Sequence, residues 1–255
     1  MPVLLTGLSA GVVSAATAAA YSVFSPRCQF WAPVIRGIPQ RDGIVLTFDD
    51  GPDAEVTPRI LDILAAHQAP ATFFVIGRHA REHQEMLRRI AGAGHTVGNH
   101  SLDHDHFGVN GNRAYWRKQV QETQKIVADI TGQPPLLFRP PMGFKTRSLA
   151  AAVKEAGLPI IGWSARAYDT RPIAARKLAA KLLRQSTGHG ILLLHDGVDP
   201  HRKSAAGQAH TAEALPAVLA GLAEKELHVL PLVEALLDKD RAGKDFAVGL
   251  QSAAS

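Results

Sequence analysis

The chain of 255 residues is 46% hydrophobic and carries a formal net charge of +5. This length is enough for one domain with a large core, and α/β barrels commonly have this size. The positive charge is spread out rather than clustered, so nucleic acid is not an expected partner. Cys28 is the single cysteine, which excludes an intrachain disulfide and leaves His, Asp and Glu as the available metal ligands. The composition does not indicate an oligomeric state.

The first predicted element is an uncharged segment at residues 2–24. Its length approaches that of a membrane span, although Ala, Gly, Ser and Thr make it only weakly hydrophobic. It lacks the basic start of a signal peptide but contains small residues suited to cleavage. We therefore assign residues 1–25 as a membrane anchor or export signal, with a helix packed on the domain as the third alternative, followed by a linker at 26–42. The expected location is membrane-associated or exported, in the cell envelope, with the orientation left open.

From residue 43 onward, short apolar runs alternate with longer amphipathic runs. The short runs are β-branched or aromatic and predict buried strands, at 43–48, 71–77, 95–99, 136–140, 159–165, 190–195 and 228–232. The longer runs predict helices, at 57–68, 85–94, 113–132, 147–157, 173–186 and 211–226.

This alternation, repeated about seven times, predicts an α/β fold with a parallel sheet covered by helices. Closed on itself, the sheet would form a (β/α) barrel with a missing or irregular unit. An open doubly wound sheet is the alternative, but no glycine-rich nucleotide motif follows any predicted strand. We expect a single domain over 43–240 and a disordered tail at 241–255.

Ionisable residues follow five of the predicted strands, where the functional groups of α/β barrels collect. They are Asp49 with Asp50, His100, Arg139, Asp169 and His195. Polar loops also begin at strand ends, which would explain one or two cases. The start of a polar loop explains less well why Arg and His interrupt apolar runs, because burying these side chains without partners is costly. We therefore expect the side chains to converge.

His100 and His104 have a spacing that, on one helical turn, puts both imidazoles on the same face. Alone, this spacing is a weak signal for a metal site. A carboxylate from a neighbouring strand end strengthens it, because two His and one Asp leave an open coordination position on a catalytic zinc. Of the adjacent Asp49 and Asp50, one would then bind the metal and the other would take a proton from water. The Gly-Pro pair that follows them would end the strand.

Four motifs, in order, resemble the polysaccharide deacetylase family, also called carbohydrate esterase family 4 or the NodB-homology domain. They are TFDDGP at 47–52, HSLDH at 100–104, RPPMG at 139–143 and LLLHD at 192–196. The resemblance covers roughly residues 43 to 235 and implies a distorted (β/α) barrel. It also implies a hydrolase that removes N-acetyl groups from a chitin oligosaccharide, peptidoglycan or another envelope polysaccharide.

The resemblance further implies a role for each site residue. The implied roles are general base for Asp49, metal ligands for Asp50, His100 and His104, base-orienting group for Arg139, oxyanion donor for the backbone N–H of Met142, apolar wall for Leu193, general acid for His195 and partner of that acid for Asp169. The implied metal is zinc, with cobalt or another divalent ion as alternatives.

Two positions depart from the family pattern. Met142 stands where the family often has tyrosine, which keeps the backbone donor but removes a hydroxyl group from the pocket edge. In the fourth motif, typically D-x-x-D-W, Arg166 replaces the first Asp and Thr170 replaces the Trp. Trp163 would supply some of the missing aromatic surface. These departures affect the substrate platform more than the chemistry.

Two other functions stay open. One is the same hydrolysis on another acyl group, either a formamide on a lipid-linked sugar or an O-acetyl ester, and the membrane-like N-terminus favours a lipid-linked substrate. The other is a glycan-binding homologue without turnover, which the altered fourth motif favours. We expect the loops at 103–113 and 197–210 to determine the sugar, but their sequences do not identify it.

Overall fold

A computed structural model of the chain describes residues 16–201 and 208–237. Within these residues, no helix is long and apolar enough to cross a membrane. The predicted tail at 241–255 lies outside them, as do residues 1–15 of the hydrophobic N-terminal segment. The described part of that segment forms helix α1 at residues 16–24.

A parallel sheet forms the centre of the domain. Its strands are β1 (Gly43–Asp49), β2 (Thr72–Val75), β3 (Thr96–Asn99), β4 (Ala165–Arg166), β5 (Gly190–His195) and β6 (His228–Val229). Their order along the sheet is β3-β2-β1-β5-β4, and β6 pairs with the first two residues of β1. All of these pairs are parallel. The predicted α/β fold with a parallel sheet is confirmed.

Isolated bridges continue the sheet beyond β3. Phe138 bridges Asn99 at the end of β3 and also bridges Ile160, and the chain after Ile160 leads into β4 at the opposite edge. The strands therefore surround the core as a distorted barrel rather than an open sheet. The predicted strands at 136–140 and 159–165 are reduced to these bridges and the two-residue β4. Pro135 precedes the first segment, Pro140 ends it and Pro159 begins the second. A proline lacks the N–H group that a regular ladder requires.

The helices cover the outside of the barrel. They are α2 (Val56–Ala66), α3 (Gly77–Glu82), α4 (Gln84–Gly92), α5 (Arg113–Thr131), α6 (Arg147–Glu155), α7 (Ala175–Gln185), α8 (Gln208–Glu224) and α9 (Leu232–Leu237). Among them, α3 and α9 were not predicted, because six residues are too few to show helical periodicity. Among the described residues, the longest helix is α5. It begins where the Asn112 side chain accepts a hydrogen bond from the Tyr115 N–H, and ends at the left-handed Gly132.

The side chains of β1 alternate between the face of the sheet that packs against the helices and the inner face of the barrel. Ile44, Leu46 and Phe48 belong to the core cluster that includes buried residues of α2 and α8, whereas Val45 belongs to a separate inner cluster. Successive side chains of a strand point to opposite faces. Asp49, two residues after Thr47, is therefore on the same inner face as Val45, at the carboxyl end of the barrel.

The predicted linker at 26–42 contacts the barrel. Ile35 forms a parallel bridge with Ile161, Gly37 forms an antiparallel bridge with Gly190, and Ile38 is buried. These contacts fix the path of the chain between α1 and β1.

Lys145 joins α1 to the domain. Its backbone N–H donates to the Val23 carbonyl over 3.0 Å. Its buried ammonium group donates to the carbonyls of Ser25 over 3.2 Å, Pro26 over 3.3 Å and Gly143 over 2.9 Å. The end of α1 is thereby fixed beside the RPPMG motif.

Candidate active site

The carboxyl ends of the strands surround one cleft of about 250 Å³. Every site residue that the sequence predicts lines it, except Arg139. The lining thus includes Asp49, Asp50, His100, His104, Met142, Trp163, Asp169, Leu193 and His195. Arg139 is fully buried and contacts the site through Asp49. The structure therefore brings the whole predicted set together.

Asp49 is held by the guanidinium group of Arg139. Arg139 Nη1 donates to Asp49 Oδ1 over 2.6 Å and to Thr47 Oγ1 over 2.8 Å. Its other N–H groups donate to the carbonyls of Ile161 over 3.3 Å and Gly162 over 3.0 Å. Burial lowers the pKa of Arg139 while Asp49 opposes this shift. The pair fixes one carboxylate oxygen of Asp49 and leaves Oδ2 on the side of the histidines.

Asp50, His100 and His104 form a buried set of possible metal ligands. Asp50 Oδ1 lies 3.4 Å from Nε2 of each histidine. Nδ1 of His100 lies 2.8 Å from the Arg139 carbonyl oxygen. Because a carbonyl oxygen only accepts, that nitrogen carries the proton and Nε2 presents its lone pair to Asp50. Among the described residues, Asp50 Oδ1 receives no hydrogen bond. A buried carboxylate oxygen beside the Nε2 lone pair of His100 and the Nε2 atom of His104 fits a divalent cation.

The acids and imidazoles of this set shift each other's pKa toward the charged forms. Burial alone would raise the pKa of Asp50, but the imidazoles of His104 and His100 outweigh it and lower the pKa. Burial alone would lower the pKa of His104, but Asp50 and Asp199 raise it. Asp50 is therefore ionised, as a metal ligand must be.

The loop at 100–105 brings the two imidazoles together without forming a helical turn. Ser101 and His104 have left-handed backbones, with φ of 66° and 52°. The Asn99 side chain accepts from the Ser101 N–H over 2.9 Å, and the Ser101 hydroxyl accepts from the His104 N–H over 3.1 Å. In this loop, side chains accept the hydrogen bonds of backbone N–H groups that would bond to backbone carbonyls in a helix.

His195 ends β5 and is the register partner of Asp49 on β1. Its Nδ1 lies 2.9 Å from Asp169 Oδ1, and its backbone N–H donates to Asp169 Oδ2 over 2.7 Å. The Thr211 hydroxyl donates to the same Oδ2 over 2.9 Å. Burial alone would lower the pKa of His195, but Asp169 outweighs it and raises the pKa to about 9. At neutral pH the imidazole is therefore protonated.

Two glycines let the ends of β1 and β5 come close together. A Cβ on Gly197 would overlap the Asp50 carbonyl, and one on Gly51 would overlap the Asp196 carboxyl group. Asp196 is buried and accepts from the Thr57 hydroxyl over 2.7 Å. Burial raises the pKa of Asp196 to about 7. Asp196 is therefore a packing contact behind the site rather than a lining residue.

Three further residues support the site but were not predicted from the sequence: Asp199, Thr47 and Thr211. Asp199 Oδ1 lies 3.5 Å from His104 Nδ1, and its Oδ2 lies 2.6 Å from His106 Nε2. Asp199 thus orients the imidazole of His104 from behind. The Asp-Pro pair at 199–200, two residues beyond the end of the LLLHD motif, was the available signal for Asp199. The two threonines had none, because buried threonines are common in strands and helices.

Met142, Leu193, Trp163, Arg166 and Tyr168 line the part of the cleft where we expect the substrate platform. Met142 has a left-handed backbone and is 39% exposed at the mouth of the cleft. Arg166 Nη2 donates to the Tyr168 hydroxyl over 2.8 Å, and its guanidinium lies 4.3 Å from the Tyr168 ring and 5.8 Å from the Trp163 ring. In the altered fourth motif, an arginine stacked on aromatic rings thus stands where the family has an aspartate.

Comparisons with known proteins identify the family. The model of a family described as polysaccharide deacetylase matches residues 36–161. A chitooligosaccharide deacetylase from Azorhizobium caulinodans is 32% identical over 197 residues, which cover 75% of this chain and 93% of that protein. The chain belongs to the polysaccharide deacetylase family. The predicted resemblance to this family is thereby confirmed.

Two other members of the family are considerably longer than the region over which they match this chain. The peptidoglycan-N-acetylglucosamine deacetylase PgdA from Listeria monocytogenes is 40% identical over 153 residues, covering 60% of this chain and 32% of PgdA. A peptidoglycan-N-acetylglucosamine deacetylase from Bacillus cereus is 34% identical over 158 residues, covering 62% of this chain and 57% of that protein. The chain thus spans about a third of the first relative and little more than half of the second.

Solved structures of the family include an enzyme and a protein without activity. The Bc1960 peptidoglycan N-acetylglucosamine deacetylase has a TM-score of 0.73 and 28% identity, covering 79% of this chain and 91% of that chain. The BA3943 pseudoenzyme from Bacillus anthracis has a TM-score of 0.70 and 27% identity, covering 80% of this chain and 69% of that chain. Family membership alone therefore does not decide catalysis, which depends on the site residues of each chain.

Proposed function

We propose that the protein is a metal-dependent hydrolase that removes N-acetyl groups from an amino-sugar glycan. Candidate substrates are chitin oligosaccharides, peptidoglycan and other envelope polysaccharides. One observation carries the proposal: Asp49 and His195 are register partners at the ends of adjacent strands, each fixed by a charged partner, beside a buried set of metal ligands. The relatives named as glycan deacetylases support the same reaction.

Asp50, His100 and His104 would hold the metal, with zinc as the first candidate and cobalt or another divalent ion as alternatives. A cation bound there supplies Lewis-acid polarisation of the acyl oxygen and lowers the pKa of the attacking water. The remaining chemistry belongs to the chain's own groups.

In this proposal Asp49 accepts a proton from the attacking water, and Arg139 holds its carboxylate in place. The backbone N–H of Met142 donates to the oxyanion, which is typically worth about 3 kcal/mol. His195 then donates a proton to the leaving amine, while Asp169 keeps the imidazole protonated. Leu193, with the indole of Trp163, forms the apolar wall around the acyl group. The products are acetate and a free amino sugar.

The test measures acetate and formate released by the zinc-loaded chain from chitin oligomers, peptidoglycan, acetylxylan and a formylated lipid-linked amino sugar. We expect acetate from the N-acetylated glycans, no release after chelation, and recovery when zinc is restored. Release only from acetylxylan would favour an O-acetyl esterase, and release only of formate would favour the lipid-linked substrate. A chain that binds zinc and glycan without releasing either acid would be a non-catalytic homologue, which would contradict the proposal.

We further propose that the protein works in the cell envelope, either membrane-associated or exported. The uncharged segment at 2–24 supports this location. The relatives named for peptidoglycan support it as well, because that polymer lies outside the cytoplasmic membrane. Fractionation of cells that express the full chain, with and without residues 2–24, tests the location.

Asp169→Asn is expected to move the alkaline limb of the pH–rate profile to lower pH. In the wild type, the raised pKa of His195 keeps the acid protonated until the pH passes about 9. Without the Asp169 carboxylate, the largest group that opposes burial of the ring is lost and only the smaller effects of Asp50 and Asp49 still raise the pKa, so the limb should fall toward the ordinary histidine value of 6.5. Rates of acetate release measured from pH 5 to 10 check this shift.

Thr211→Val is the matched control for this substitution. It removes the hydroxyl that donates to Asp169 Oδ2 but keeps the carboxylate charge beside His195. The alkaline limb of this variant should stay close to that of the wild type. An alkaline limb that stays at its wild-type pH in Asp169→Asn would show that His195 is not the acid.

A further inference from the structure

A second cavity of about 540 Å³ adjoins the cleft, and all its charged side chains are cationic. They are Arg27, Arg36, Arg166, Lys181 and Arg184. No Asp or Glu lines this cavity, which we call the cationic pocket. The cleft by contrast is lined by four aspartates. The charge of the cationic pocket therefore differs from that of the neighbouring reaction site.

The five cations of the pocket lack carboxylate partners within residues 16–201 and 208–237. Arg36 Nε donates to the Trp163 carbonyl over 3.1 Å, and Lys181 Nζ donates to the Ala167 carbonyl over 3.3 Å. These bonds fix the side chains without neutralising their charge. Burial lowers the pKa of Arg36, and the nearby Arg27 lowers it further. A bound anion would relieve this repulsion.

The cations come from three separate parts of the chain. Arg27 and Arg36 precede the barrel, Arg166 stands in the altered fourth motif, and Lys181 and Arg184 lie on α7. The five cations therefore meet because the fold brings three segments together, and they do not form a run of charges along one exposed helix face. Each contributing segment is held by the fold, since residues 34–38 bridge to the barrel and α7 contacts the body of the domain.

Tyr168 orders two of these cations. Its ring centroid lies 4.3 Å from the guanidinium carbon of Arg166 and 4.3 Å from Nζ of Lys181. Both distances are within the range of cation–π contacts. The side chains are therefore positioned before any ligand arrives, which reduces the entropy lost on binding.

We propose that the cationic pocket binds a phosphate or diphosphate group of the substrate, so that the enzyme acts on an N-acylated sugar phosphate ester. The inference rests on the proposed function, because the acyl group must occupy the cleft at the same time. Trp163, Arg166 and Tyr168 line both cavities, so one substrate reaches both. Planar guanidinium groups match phosphate oxygens bidentately. Five positive charges also exceed what a single carboxylate would balance.

The test compares two N-acetylglucosamine substrates, the 1-phosphate and the neutral methyl glycoside, on the zinc-loaded full chain. We expect kcat/KM for the phosphate to be at least tenfold higher, with a preference that weakens as salt is added. N-acetylmuramic acid supplies a carboxylate for comparison. A preference for it over the phosphate would overturn the assignment to phosphate.

The double variant Lys181→Gln/Arg184→Gln should reduce the preference for the phosphate at least fivefold while sparing the neutral substrate. Its matched control is Arg176→Gln/Lys177→Gln, which makes the same charge change at exposed positions of α7 that do not line the pocket. The control should behave as the wild type. Equal effects of the two double variants would mean that overall charge, not the pocket, attracts the anion, and would overturn the inference.

Calorimetry with inorganic phosphate separates this inference from the proposed function. Phosphate held by the metal would bind equally to both double variants, whereas phosphate held by the pocket should bind more weakly only to the pocket variant. Hydrolysis of neutral glycans with no such difference would overturn the inference alone. Weaker binding to the pocket variant, with no acyl release from any sugar, would contradict the proposed function and support the pocket as an anion site.

Discussion

Asp49→Asn is expected to reduce kcat/KM for deacetylation by at least about a hundredfold, since a positioned general base contributes roughly 10²–10⁴-fold. An amide cannot accept the proton of the attacking water. Zinc content should not change, because the residues that would hold the metal are Asp50, His100 and His104. Asp49 Oδ2 lies 3.7 Å from His100 Nε2, compared with 3.4 Å for Asp50 Oδ1. Acetate release and zinc content, measured on the same preparation, check both expectations.

Asp196→Asn is the matched control for Asp49→Asn. It makes the same carboxyl-to-amide change in a buried residue of the next strand end, outside the cleft. We expect its kcat/KM to stay within about threefold of the wild type, because Asp196 contacts Thr57 rather than the reacting groups. If Asp49→Asn kept its zinc and more than a tenth of the wild-type rate, another group would have to be the base.

The sequence predicted the parts of the fold that depend on local patterns. β1 and β5 are continuous apolar runs, and their polar ends were visible as Asp49 and His195. The barrel closure was harder to predict, because Phe138 and Ile160 pair as isolated bridges between prolines, and such pairing depends on distant segments. The period-two pattern of a strand carries no information about which segment lies beside it.

Within the site, the residue types could be predicted, but the residues that hold them in place could not. The spacing of His100 and His104 indicated a shared ligand set, yet the loop between them depends on hydrogen bonds from Asn99 and Ser101. Asp199 and the cationic pocket depend on contacts between segments far apart in sequence. Roles such as the backbone donor at Met142 came from the family motif, since a backbone N–H leaves no signature in the side-chain sequence.

Arg139→Met is expected to lower the free energy of unfolding by about 3–5 kcal/mol, because it leaves the buried Asp49 carboxylate without its counter-charge. Met fills much of the same volume, so a cavity explains little of the loss. Urea unfolding of the metal-free chain measures the effect. The same variant should lose most of its deacetylase activity, because Asp49 loses the donor that fixes Oδ1.

The double variant Asp49→Asn/Arg139→Met separates charge from shape. It removes both charges, and replacing a buried ion pair by uncharged groups is often close to neutral for stability. We therefore expect it to be more stable than Arg139→Met alone, although it keeps the same methionine. Arg139→Lys retains a positive charge but loses the fork that also reaches Ile161 and Gly162, so it should fall between the wild type and Arg139→Met. If the double variant were as unstable as Arg139→Met, packing around residue 139 rather than the unpaired carboxylate would be the cause, and the guanidinium would not be what holds the base.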